Sequence, residues 1–231
     1  MIALADQPYI CGYCNKGFTQ EKTLFVHICE QKRRALARTE RHVVLAYDTF
    51  CRFFKRAQPQ NKQEKTYEDF CKSSYYNAFV KFGSFVSNVN PLYPERFINW
   101  VVVSGVKLDH WCRDELYEQY VFELIKSETV ETALQRSIET MMAWADTHNS
   151  SWNHYFLYVS LSRACYDIKD GKISPWLILN STNGKTMLKN FNDEQLVHVQ
   201  NIIDLQFWMH KFKKHPADVQ LVKEVVKESV I

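Results

Sequence analysis

Two thiols and an imidazole near the N-terminus constrain this chain more than anything else in it. Cys11 and Cys14 are separated by two residues, and His27 follows after a further twelve. Thiolate pairs and imidazole at that spacing are the donors that tetrahedral zinc takes. Apolar residues fall at regular places around them: Tyr9 two before Cys11, Phe18 four after Cys14 and Leu24 three before His27. A segment of about thirty residues cannot bury enough surface to offset its chain entropy, so Phe18 and Leu24 need the metal as a staple.

In register, Cys11, Cys14, Phe18, Leu24 and His27 follow C-x₂-C-x₃-F-x₅-L-x₂-H, and residues 9–29 resemble a Cys₂His₂ zinc finger. That resemblance implies a ββα fold, bound Zn²⁺ and a second histidine three to five residues after the first. Positions 31–33 are instead Gln31, Lys32 and Arg33, none of which binds zinc. Cys29 is the nearest candidate for the fourth ligand. It lies two residues after His27, and on a continuous helix such neighbours face away from each other, so the helix must unwind after His27. His42 is the alternative, and would need a chain reversal with no Gly or Pro to make it.

The remaining length is too great for one finger. In 231 residues, 46% are hydrophobic, with fifteen Phe, twelve Tyr and six Trp against six Gly and six Pro. This favours long helices around an aromatic-rich interior, hence a mainly α protein in which a small finger is joined to a multi-helix domain. The expected divisions are a finger at 1–31, a basic helical connector at 32–62 and a helical domain at 63–231. Cys51, Cys71, Cys112 and Cys165 show no spacing framework and read as reduced core residues of a cytoplasmic protein. No signal peptide or membrane-spanning segment is expected.

Formal charge is +3, unevenly spread: residues 1–62 carry eleven Lys/Arg against five acids, so the rest of the chain is net negative. Basicity beside a finger is the electrostatic footprint of nucleic-acid contact, and is equally that of a solvated helix face.

The periodicity predicts a finger helix from Gln20, then a helix over about 32–57 with Leu36, Val43, Val44, Tyr47, Phe50 and Phe54 on one side. Gln58–Gln63 breaks it. Thr66 caps a next helix holding Phe70, Tyr75, Tyr76, Phe79, Val80, Phe82 and Phe85, and Pro94 suits the first position of another. Further helices are expected at 95–104, 110–126, 130–147 and 152–167. Pro175–Leu179 reads as extended, with a turn at 180–184. Asn192, with Gln195 as capping-box partner, opens a helix to Lys214 on which His210 is expected in the core beside Trp208, and a last helix covers 218–229.

Catalytic signatures are missing. Gly184-Lys185-Thr186 lacks the earlier glycine of a phosphate loop, where Leu179 stands, and Asp109-His110-Trp111-Cys112 cannot form a nucleophile–base pair between helical neighbours. No small-molecule substrate is suggested. The phrases His27-Ile28-Cys29-Glu30-Gln31-Lys32-Arg33-Arg34 and Lys107-Leu108-Asp109-His110-Trp111-Cys112 are similar to those of zinc-finger-headed proteins of large tailed bacteriophages. The resemblance implies a phage setting, with action in the host cytoplasm or in the virion and a protein partner from phage or host machinery. Two functions follow. In the first, favoured by the basic segment, the finger binds nucleic acid through Gln20, Lys22 and Thr23, with Lys32, Arg33, Arg34, Arg38 and Arg41 on phosphates. In the second, the finger is a zinc-stapled protein–protein module of a structural or assembly protein.

Overall fold

A computed structural model of the chain describes residues 9–60 and 63–231. The protein is mainly α, with fifteen α-helices and one two-stranded sheet among the described residues. It divides after Arg113 into two compact units. None of the described helices is long and apolar enough to cross a membrane.

In the first unit, β1 (Tyr9–Ile10) and β2 (Gly17–Phe18) precede α1 (Glu21–Val26) and α2 (Glu30–Leu36). A 3₁₀ turn at Ala37–Thr39 leads into α3 (Arg41–Ala57), followed by α4 (Tyr67–Lys72), α5 (Tyr76–Val89) and α6 (Pro94–Val103). Aromatic residues supply much of the core as expected, although Tyr75, expected there, caps α5 and is exposed. Phe50, Phe70, Phe79, Phe82, Phe97 and Trp111 are at most 2% exposed. Their rings meet edge-on or tilted, as between Phe50 and Phe79 at 5.5 Å and Phe82 and Trp111 at 5.2 Å, the geometry favoured by the ring quadrupole. Helices α3 and α5 touch through Gly83, where a Cβ would collide with the His42 carbonyl oxygen.

In this unit, two helices expected to be continuous are broken. The helix over 32–57 stops at Leu36, and in its last turn the Tyr67 hydroxyl donates to the Arg34 carbonyl at 2.6 Å. Glu40, in an extended conformation, restarts the chain as α3. On α3, Val43 and Phe50 are buried, whereas Val44 and the preceding Leu36 are exposed. The helix opened by Thr66 ends at Lys72, where Ser73 turns extended and its hydroxyl accepts the Tyr75 amide, a local bond that competes with the helix.

The second unit holds α7 (Asp114–Ser127), α8 (Val130–His148), α9 (Tyr155–Tyr158), α10 (Leu161–Lys169), α11 (Pro175–Ile178), α12 (Thr182–Lys189), α13 (Asp193–Val199), α14 (Leu205–Lys214) and α15 (Pro216–Glu228). Arg136, Glu128 and Asp167 are buried but paired: Arg136 Nη2 donates to Glu128 Oε1 at 2.7 Å, and Tyr155 and Arg163 both donate to Asp167 Oδ2. The apolar run expected to be extended is the buried turn α11. Ser174 caps it and Pro175 occupies its first turn, and burial on all sides removed the alternation that separates helix from strand. Gly184 lies inside α12, against the Ile178 carbonyl. The expected helix over 192–214 is two, because Asp204 accepts the Phe207 amide at 3.0 Å and caps a fresh start. Trp208 is buried as expected, but His210 is exposed. The expected helix over 110–126 starts only at Asp114, after a 3₁₀ turn at Leu108–His110. That expected over 152–167 is a 3₁₀ turn at Trp152–His154 followed by α9 and α10, parted at extended Val159 and Ser160, where the Ser160 hydroxyl caps α10.

Candidate metal centre

The finger is assembled by short backbone devices. Strands β1 and β2 pair antiparallel, Tyr9 opposite Phe18 and Ile10 opposite Gly17. Between them the Asn15 amide donates to the Cys11 carbonyl and the Cys11 amide to the Lys16 carbonyl, both at 2.9 Å. The turn needs a left-handed residue, and Asn15 supplies it at φ 57°, a conformation that asparagine tolerates better than most. The amides of Tyr13 and then Cys14 favour the Cys11 thiolate and draw that thiol down to about 7. At Cys14 the Lys16 amide acts in the same sense, but burial and the neighbouring Cys11 and Cys29 sulfurs outweigh it and leave the thiol raised.

Helix α1 ends at Val26, and His27 leaves it with ψ 120° while its amide bonds the Leu24 carbonyl. The chain stays extended through Cys29, at φ −88° and ψ 167°, where α2 begins. This unwinding is what a His-x-Cys spacing requires. Cys29 caps α2, its Sγ accepting the Lys32 amide at 3.3 Å. Cys11 Sγ lies 4.0 Å from Cys29 Sγ, Cys14 Sγ 3.3 Å from His27 Nε2, and all four donor atoms fall within 4.8 Å of one another. Zinc bonds of ~2.3 Å to sulfur and ~2.0 Å to nitrogen would set neighbouring donors roughly 3.5–3.8 Å apart. The group therefore fits a small tetrahedral ion.

Its surroundings hold the donors in place. The Phe18 ring stands 4.8 Å from the His27 ring, so this apolar position supports a ligand directly. The Lys32 Nζ donates to the His27 carbonyl at 3.3 Å. His42 is elsewhere, its Nε2 3.5 Å from Glu40 Oε2. No second group of such donors gathers among the described residues.

The basic positions are dispersed in role. Gln20 precedes α1 and Lys22 and Thr23 lie on it, all three exposed. Arg33 is exposed and paired with Glu30 at 2.9 Å. Arg34 is turned inward: its Nη1 donates to the Cys71 carbonyl at 2.8 Å, its Nε and Nη2 hold Glu30, and its guanidinium lies 4.3 Å from the Tyr76 ring centre. Arg38 lies over the Tyr67 ring, and Arg41 opens α3 with its side chain exposed.

Sequence reasoning placed Val26 outward but missed the exposed apolar residues around it. Phe25 is 83% exposed, Val26 and Ile28 65% each, Ile10 60% and Tyr13 49%. The signal was available: with Leu24 facing inward, the next two positions of a short helix must face out. No protein-family profile, curated protein or solved structure matches the chain, so no match supports the resemblance to phage proteins.

Proposed function

We propose that this is a structural zinc protein whose N-terminal finger is a protein-contact module. The observation that carries this is the gathering of Cys11, Cys14, His27 and Cys29 within 4.8 Å beneath an exposed apolar face. Four protein donors fill a tetrahedron and leave no position for a reacting water, which is the structural kind of zinc site. The finger's outer face carries Phe25 and Val26 among Glu21, Lys22 and Thr23, a composition suited to a protein surface more than to a phosphate backbone. Purification without chelator should yield one zinc per chain by elemental analysis. Replacement by Co²⁺ should give thiolate charge-transfer and d–d bands of a tetrahedral site, and these should vanish in Cys14→Ser. Protein free of metal under those conditions would overturn the reading.

Nucleic-acid binding is the second reading. The exposed Lys22, Arg33 and Arg41 and the net positive charge of residues 1–62 favour it. A single finger buries little surface on a duplex, so affinity would be electrostatic and would fall steeply with salt. Absence of any gel shift at low salt would dismiss it. On its sequence resemblance alone, action in an infected bacterium or in a virion belongs to the same proposal.

A further inference from the structure

We infer that Cys11 and Cys29 form a redox switch on the finger, in which hydrogen peroxide joins their sulfurs as a disulfide and frees the metal. This rests on the reading of the four donors as a zinc centre and adds what controls its occupancy. All seven cysteines are free thiols, and three of them, Cys11, Cys14 and Cys29, stand with His27 within 4.8 Å. Contacts inside the group divide. Cys14 Sγ is 3.3 Å from His27 Nε2, whereas Cys11 Sγ faces Cys29 Sγ at 4.0 Å. Sulfurs in a disulfide are ~2.05 Å apart, so this pair must close by about 2 Å, a shift within reach of a side chain on non-helical backbone. Cys29 is such a residue, extended at φ −88° and ψ 167° between α1 and α2.

Access sets the order of events. Cys29 is half-buried and Cys11 is 3% exposed, so peroxide meets Cys29 and Cys11 resolves the product. The Cys29 thiolate attacks one peroxide oxygen, the O–O bond breaks, and a sulfenic acid and hydroxide result. The Cys11 thiolate then attacks the Cys29 sulfur, the S–S bond forms, and a second hydroxide departs. Two thiolates have lost two electrons, peroxide has gained two, and two protons from solvent turn both hydroxides into water. Cys14 and His27 are then the donors left, too few for a tetrahedral site, and the ion leaves as Zn²⁺ with its charge unchanged. The new bond closes a loop over β2 and α1. It restrains the unfolded chain but gives Phe18 and Leu24 nothing in place of the metal, so α1 and the apolar residues it carries lose order. Contact through the finger is thereby switched off by oxidation and regained when a dithiol reduces the bond and zinc returns.

The test takes the full, zinc-loaded chain at neutral pH, its metal content fixed by elemental analysis beforehand, and adds hydrogen peroxide in steps. Released zinc is read with a chromogenic chelator. Remaining thiols are blocked with N-ethylmaleimide, and the unreduced protein is mapped after trypsin. Cleavage at Lys16, Lys22 and Lys32 leaves Cys11 and Cys14 on one peptide and Cys29 on another, residues 23–32. One zinc should be lost for each linked pair of these peptides, with fragment ions placing the bond on Cys11 and the maleimide on Cys14. The free-thiol count should fall from seven by two. Dithiothreitol with added zinc should restore the full metal content. Zinc that stays bound while the other cysteines oxidise overturns the inference, and so does zinc that leaves with a Cys11–Cys14 bond or with sulfinic acids and no cross-link. Either result leaves the zinc centre standing. Protein that holds no zinc before peroxide is added overturns the metal-centre reading itself.

Discussion

The finger and the helices that follow it use the same residue types and are held together by opposite means. Between residues 9 and 29 only Cys11 is buried, and Phe25, Val26 and Ile28 face water. In α3–α5, Phe50, Phe70, Phe79 and Phe82 are at most 2% exposed; the Phe50 ring meets those of Phe70 and Phe79, and the Phe82 ring meets Trp111. Aromatic content alone therefore says little about where stability resides. In the helices it comes from removing apolar surface from water; in the finger too little is buried to offset chain entropy, and the proposed metal would supply the difference.

Removing a metal ligand should break the comparison most sharply. Metal binding to a finger is worth on the order of 10 kcal/mol or more and is the same free energy as its folding. Cys14→Ala should release zinc and unfold residues 9–29 while the helical circular-dichroism signal of the rest persists. Cys29→Ala should do the same and should also fray α2, whose first turn Cys29 caps. His42→Ala should leave zinc content unchanged. Amide exchange and elemental analysis on the three variants decide it, and retention of zinc by Cys29→Ala with its loss from His42→Ala would reverse the assignment of the fourth ligand.

The next effect is smaller and lies on the other side. Phe79 is fully buried and meets Phe50, Phe53 and Trp111, so Phe79→Ala should cost about 3–5 kcal/mol in denaturant unfolding. Zinc content should not change. If it falls in step with stability, the finger and the aromatic core are one cooperative unit and the contrast between them is wrong.

Sequence legibility followed the same divide. Cys11, Cys14, Phe18, Leu24 and His27 were legible because a metal imposes fixed spacings, and Cys29 was legible as a candidate because few donors are in reach. Helical class and an aromatic core were legible from composition and periodicity. Breaks within the helices were not, since the hydrogen bonds found at them are remote or local and leave the apolar period intact. Tyr67 reaches the Arg34 carbonyl from thirty-three residues away, and Ser73 and Asp204 divert the backbone by side-chain bonds. The role of Arg34 was hidden for the same reason, because its partners Cys71 and Tyr76 are distant in sequence.

Arg33 and Arg34 carry the smallest predicted effect, and it separates electrostatics from packing. They are neighbours of one type on α2, yet the Arg33 side chain is 68% exposed and that of Arg34 18%. Arg34→Ala removes a charge-assisted bond to a backbone carbonyl and a cation–π contact, and should cost about 1–3 kcal/mol in denaturant unfolding. Arg33→Ala loses one exposed ion pair and should stay within about 0.5 kcal/mol of wild type. If the protein binds nucleic acid, the ranking inverts: Arg33→Ala, like Arg41→Ala, should lower the log–log salt slope by roughly one unit. Arg34→Ala should leave that slope unchanged, because its guanidinium is already committed to Glu30 and Cys71. Gel-shift titrations at several salt concentrations, set beside denaturant midpoints, test both halves. A loss of slope at Arg34 without loss of stability would mean that this side chain leaves its internal partners to reach a phosphate, and the division of labour between the two arginines would fall.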